Sequence, residues 1–355
     1  MFIIRRMYKE KRLSRSEFVP IRGLQYHVQT WEQTDASATA ASAGPPQARP
    51  APQPKDRGSE PPKAHAVTSV GANNLPPLVL MHGWMDVAAS YQFMVDAFTD
   101  AFMQGRTIIA ADWRGFGKTA SRPGDGVVDN FWYADYLADL DCLLDALVPG
   151  QSVDLVGHSM GGNVVMLYAG VRPTRIRRLV NLEGFGMPAT QALDAPERYA
   201  TWMDQLKKLR SGEMDLRPYD DISGVARRLM RTNPRLSLDK ANWLARHWAA
   251  PKVQADGATK WEILGDPAHK IVNAHLYQLE ETLAIWRRIT APTLCVDASD
   301  NEMEKWYAGR YTLADYYQRL TAVPNLQKAH INDAGHMLHH DQPDALAALI
   351  EGFLN

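Results

Sequence analysis

Apolar residues fall into short extended runs separated by stretches with helical spacing. Residues 17–31 read as a hairpin: two extended runs pivot at Arg22-Gly23, and Leu24, Tyr26 and Val28 alternate with polar neighbours. After Pro76-Pro77, the run 78–81 leads into a glycine turn. The run 107–111 ends at Asp112-Trp113-Arg114-Gly115, 153–156 ends at Gly157, and 176–182 supplies the sixth strand. Residues 91–102, 134–147 and 163–171 carry the apolar spacing of helices. Apolar strands alternating with such helices predict an α/β fold, with a mostly parallel central sheet covered by helices on both faces.

Beyond the sixth strand, residues 187–288 read as helical and Trp-rich, and extended patterns resume at 293–296 and 328–331. A loop with His336 and a closing helix at 344–354 finish the chain. The expectation is an N-terminal tail and first hairpin (1–34), an α/β core (75–186 and 289–355) and a helical cap (187–288) inserted after strand 6. Residues 35–74 are dominated by Ala, Ser, Pro, Gly and charged residues. Such a stretch buries too little apolar surface to offset its ordering entropy, so it is expected to be a disordered loop. No repeat of 20–50 residues is visible.

Composition narrows the classes. With 45% hydrophobic and 22% charged residues and a net charge of −1, the chain reads as an ordinary globular protein without a polyanionic partner, so nucleic acid is not expected. Cys142 and Cys295 lie inside apolar runs and read as buried thiols rather than a disulfide framework. The opening residues carry Arg5, Arg6, Lys9, Lys11, Arg12 and Arg15 and lack the apolar stretch of a secretory signal. No run reaches the ~20 apolar residues of a membrane span. These features predict a cytoplasmic protein with no membrane partner, and they leave its oligomeric state open.

Gly157-His158-Ser159-Met160-Gly161-Gly162 follows a strand and opens a helix, the setting of a nucleophile elbow. Small residues two before and two after Ser159 let the backbone turn sharply, so that Oγ projects above the sheet edge. The helix N-terminus adds N–H groups where an oxyanion would develop. His82-Gly83-Trp84 ends an earlier strand and could supply a second oxyanion donor, the Trp84 N–H, beside that of Met160. His82, Trp84 and His158 are candidates for the substrate pocket, although His82 also suits a loop-fixing role. His336, in Asp333-Ala334-Gly335-His336, stands after the final strand, where the general base is expected. His336 and His340 have the i, i+4 spacing of metal ligands, but no further donor cluster completes a site, so no metal and no cofactor are expected.

These motifs, with Asp112-Trp113-Arg114-Gly115-Phe116-Gly117, resemble the α/β-hydrolase superfamily, specifically its capped members: haloalkane dehalogenases, C–C bond hydrolases, small esterases and serine hydrolase-like proteins. The resemblance spans residues 17–355 apart from 35–74. It implies a Ser159 nucleophile, a His336 base and a carboxylate to orient the imidazole, and it argues against dehalogenase chemistry, which uses an elbow aspartate. By resemblance the acid follows strand 293–296, but Ala298 replaces the usual glycine and Asn301 stands at the expected acid position. Asp300 lies one residue away. Glu183, at the end of strand 176–182, is the alternative, with Glu302 and Asp297 as further candidates. Asp112 and Arg114 are expected to fix a loop, and Trp202, Trp243, Trp248, Trp261 and Trp286 mostly to pack the core or cap, with one or two facing the ligand. The implied activity is hydrolysis of an ester or similar acyl compound of moderate size. C–C hydrolysis or acyl transfer on the same triad, or ligand binding with a decayed acid, are the alternatives.

Overall fold

The first two strands, β1 (Arg15–Ile21) and β2 (Leu24–Trp31), are antiparallel, and Ile21 pairs with Leu24 across a two-residue turn. Arg22 and Gly23 both have positive φ (47° and 85°), the turn geometry that matches the twist of a hairpin. This computed structural model describes residues 7–32, 75–119, 128–254 and 256–355, so the loop expected at 35–74 lies outside the described residues.

The core continues with β3 (Leu78–Met81), α1 (Gln92–Ala97), α2 (Asp100–Met103), β4 (Ile108–Ala111), α3 (Tyr133–Leu147), β5 (Val153–His158), α4 (Met160–Val171) and β6 (Ile176–Leu182). An insertion follows: α5 (Ala195–Arg210), α6 (Ile222–Thr232), α7 (Leu238–Trp248), β7 (Ala249–Val253), β8 (Thr259–Ile263) and α8 (Leu279–Trp286). The core then resumes with β9 (Thr293–Ala298), α9 (Met303–Trp306), α10 (Leu313–Leu320), β10 (Leu326–Ile331), α11 (Leu338–Asp341) and α12 (Pro343–Leu354).

Eight strands form one sheet in the order β1-β2-β4-β3-β5-β6-β9-β10, parallel from β4 to β10. The β2–β4 pair is antiparallel. Alternate residues of each inner strand serve opposite layers. Val79, Met81, Leu155 and Leu179 join the apolar layer that includes residues of α3 and α4, while Leu78, Leu80, Val156 and Val180 join the layer that includes residues of α1 and α12. The strands therefore read as continuous apolar runs, and truncating a side chain such as Leu80 to alanine would cost about 2–5 kcal/mol.

Two expectations need correction. The helix read across 91–102 is broken, because Phe98 adopts an extended ψ of 146° and Thr99 then caps α2 by accepting the Phe102 N–H. The insertion is not helical throughout: β7 and β8 form an antiparallel pair, with Thr259, Trp261 and Ile263 alternating along β8 and Gly257 at positive φ in the connection. Against the core the insertion meets loops at the carboxyl ends of the strands. Gly117 N donates to Leu264 O (2.8 Å), Asp266 N to Gly115 O (2.9 Å) and Trp248 Nε1 to Asp86 Oδ1 (3.1 Å). Among the described residues no helix is long and apolar enough to cross a membrane.

Candidate active site

Ser159 sits between β5 and α4 with φ 53° and ψ −117°, a strained backbone for a residue with a side chain. Its neighbours explain the glycines around it. A Cβ on Gly157 would press on the Gly161 carbonyl, and one on Gly161 on the carbonyls of Met81 and His82. The turn is thus closed by backbone packed on backbone, and Ser159 remains half-buried and reachable.

His336 Nε2 lies 2.9 Å from Ser159 Oγ, and its Nδ1 lies 3.0 Å from Glu183 Oε2. Glu183, also at positive φ (54°), is 2% exposed. Its second oxygen accepts the Ala298 N–H at 2.8 Å. Strand pairing places it there: β6 and β9 match Leu182 with Val296, and Glu183 N donates to Val296 O (3.0 Å). Burial works on both titrating groups, raising Glu183 to about 8 and lowering His336 to about 4. The two are in contact and titrate as one pair, and a neutral ring whose Nδ1–H donates to an ionised Glu183 leaves Nε2 free to accept from Ser159.

Asp300, the other carboxylate expected beside the base, is not there. It pairs with Arg235 of the insertion and is largely exposed, because its own N–H is tied to Ala334 O (2.9 Å) in a loop that directs the side chain outward. Glu302 pairs with Lys305 (2.7 Å) at the surface. Asp297 binds His330 and accepts from the Tyr317 hydroxyl at 2.6 Å, and the Asn301 amide donates to Ala298 O (3.1 Å).

Met160 is the first residue of α4, so its N–H belongs to the helix-end donors without an intrahelical acceptor. The chain at Gly83-Trp84 runs close to the nucleophile, since a Cβ on Gly83 would lie 3.0 Å from Ser159 Cβ. Trp84 is 52% exposed and its indole N–H donates to His269 O at 3.3 Å, so it stands at the rim, tied to the insertion.

His82 and His158 do not line a pocket. Both are buried, and they spend ring nitrogens on main-chain groups inside the protein, both of them in His82 and Nε2 alone in His158. His82 Nδ1 donates to Gly83 O (2.7 Å) and its Nε2 accepts from Trp113 N (2.9 Å), which fixes the loop. His158 Nε2 meets the main-chain carbonyl of His336 at 2.7 Å. Asp112 also fixes structure, accepting from Ala88 N (2.7 Å) and Lys118 N (2.8 Å) and binding His27 (2.7 Å). Arg114 forks onto Asp139.

Two features had no sequence signal. Trp306 packs edge-on against the His336 ring, with centroids 4.5 Å apart. Asp86, His158 and His339, all buried, bring ligand-type atoms within 4.8 Å of one another. His339 Nε2 and Asp86 Oδ2 are 3.9 Å apart, wider than the roughly 3.4 Å that tetrahedral zinc bonds of about 2.0–2.2 Å impose, so these donors would have to draw together to hold an ion. His340 does not pair with His336 on a metal, since its Nε2 meets Ser90 Oγ at 2.5 Å.

Strand order, strained elbow and the serine–histidine–carboxylate line are those of an α/β hydrolase. Residues 76–343 match the sequence profile of the alpha/beta hydrolase fold family, and the chain belongs to that family. Among its relatives is a serine hydrolase-like protein of Danio rerio, 24% identical over 298 residues, which cover 80% of this chain and 83% of that protein. The sn-1-specific diacylglycerol lipase ABHD11 of Danio rerio is 25% identical over 79% of each chain. The thioesterase domain from the curacin biosynthetic pathway shares the fold, with a TM-score of 0.69, 20% identity and coverage of 95% of this chain and 99% of that one. The chain is therefore placed among hydrolases, as a relative of serine hydrolases and lipases.

Proposed function

We propose that this protein is a serine hydrolase acting on an ester or related acyl compound of moderate size through an acyl-enzyme. The line from Ser159 Oγ through His336 to Glu183, at 2.9 and 3.0 Å, carries this reading. His336, kept neutral by burial, accepts the Ser159 proton at Nε2 as Oγ attacks the acyl carbonyl carbon. Glu183 holds Nδ1–H and offsets the charge of the imidazolium. The N–H groups of Trp84 and Met160 face the carbonyl oxygen as it becomes an oxyanion. His336 then returns the proton to the leaving alcohol, and a water deprotonated at the same Nε2 releases the acid and restores Ser159.

Ligand binding without catalysis drew its motive from Asn301 in the expected acid position. Glu183 beside Nδ1 supports turnover instead. The test is hydrolysis of p-nitrophenyl acetate and butyrate together with labelling by a fluorophosphonate. Ser159→Ala should abolish labelling and lower kcat by at least ~10⁴-fold while the fold is retained. Turnover that survives in a folded Ser159→Ala protein would refute the assignment.

A further inference from the structure

The residue before the nucleophile has no part in the chemistry above, yet it touches the base. A main-chain carbonyl only accepts, so His158 Nε2 must carry the proton in its 2.7 Å contact with His336 O. Burial holds the ring neutral. Its Nδ1 is then a bare lone pair, buried and without a partner. Behind it lie His339, with ring centroids 4.5 Å away, and Asp86, which Trp248 Nε1 anchors at 3.1 Å. Space for the ring comes from Gly83, where a Cβ would stand 3.0 Å from His158 Nδ1.

We propose that His158 is a positioning residue: by donating its ring N–H to the backbone of His336, it sets the base at hydrogen-bonding distance from Ser159. This rests on the reading of His336 as the base. The geometric logic lies in adjacency. Residues 158 and 159 leave the same strand end, one carrying the nucleophile and the other gripping the main chain of the base, so the spacing between the two reacting atoms is set by a single dipeptide. The loop that brings His336 is otherwise held on either side of it, by Gly335 N on Asp341 Oδ2 (2.9 Å) and His340 N on Met337 O (2.7 Å). Within residue 336 itself, the carbonyl is fixed by His158 and the ring by Glu183 and Ser159. Without the His158 donor, that carbonyl loses its partner in a partly buried site and the loop is free to relax around it.

Three substitutions separate positioning from bulk structure. Glutamine can place an amide N–H near the Nε2 position, asparagine is one bond too short, and phenylalanine keeps the ring without the donor. His158→Gln should retain most of the wild-type kcat. His158→Asn and His158→Phe should each lose about 10²-fold in kcat, the scale of an ångström of misplacement, with KM within about twofold and fluorophosphonate labelling slowed in parallel. If His158→Phe fails to fold, the glutamine–asparagine pair decides. Equal kcat in all three variants, whether intact or reduced, overturns the proposal, as does a loss confined to KM. Ser159→Ala distinguishes the two levels: if it abolishes turnover while the His158 series is flat, only the positioning role fails.

Discussion

Two strand ends offer a carboxylate near His336, and they differ in what surrounds them. At the end of β6, Glu183 is 2% exposed, held at positive φ, with an N–H facing each oxygen: Ala298 N on one and the imidazole on the other. At the end of β9, Asp300 points into solvent and meets Arg235. Both are acids on loops at the sheet's carboxyl edge, each following a strand with neighbours on either side, but only Glu183 turns its side chain into the protein. Enclosure is what gives a carboxylate influence over an imidazole, because a buried charge-assisted hydrogen bond is not shared with water, whereas an exposed ion pair is screened and contributes about 0–1 kcal/mol.

The sharpest way to break this contrast is to neutralise each acid in turn. Glu183→Gln should lower kcat by about 10²–10⁴-fold, since the imidazole loses the partner that sets its tautomer. Asp300→Asn should change it by less than about threefold. Steady-state kinetics on one ester settles the matter, and a reversed order would move the acid to the loop after β9.

A second, smaller effect is in the pH profile. Turnover needs a neutral His336 beside an ionised Glu183, and burial lowers the first to about 4 while raising the second to about 8, so the acid limb of kcat/KM belongs to the hydrogen-bonded pair and should lie between these values. In Asp300→Asn that limb should stay in place, because Asp300 lies among exposed groups. A limb that moves by a full pH unit in Asp300→Asn would mean that the outer carboxylate couples to the imidazole and that Glu183 does not stand alone beside it.

The smallest effect concerns the outer carboxylate's own role. Arg235 joins the insertion to the core through Asp300 and Asp333, with all three side chains at least 36% exposed. Arg235→Ala should therefore lower the melting temperature by no more than about 3 °C, and a calorimetric scan showing a much larger drop would make this bridge a structural clamp.

How much of this was legible in the sequence varies by residue. The hairpin at Arg22-Gly23, the elbow at Ser159 and the place of His336 after the last strand could be read directly. Each depends on short-range constraints: a turn needing positive φ, glycines where backbone meets backbone, a period of two along a strand. The break in the helix at Phe98 could not, since the same apolar spacing continues through it. Nor could the β7–β8 pair, whose Trp and Lys residues suit a helix as readily as a strand.

What the sequence by itself determined, then, is the class of fold, the nucleophile's turn and the strand that delivers the base, because these are written in local periodicity and in residues with few conformational alternatives. What only the tertiary structure decided is which carboxylate meets the imidazole and where the pocket-candidate histidines point. Glu183 reaches His336 because β6 pairs in register with β9, bringing the Ala298 N–H to Oε1 and turning Oε2 toward Nδ1. His82 and His158 turn inward because backbone groups of Gly83, Trp113 and His336 await their ring nitrogens there. These partners lie up to 178 residues apart in the chain, and such long-range hydrogen bonds exist only once the sheet has assembled.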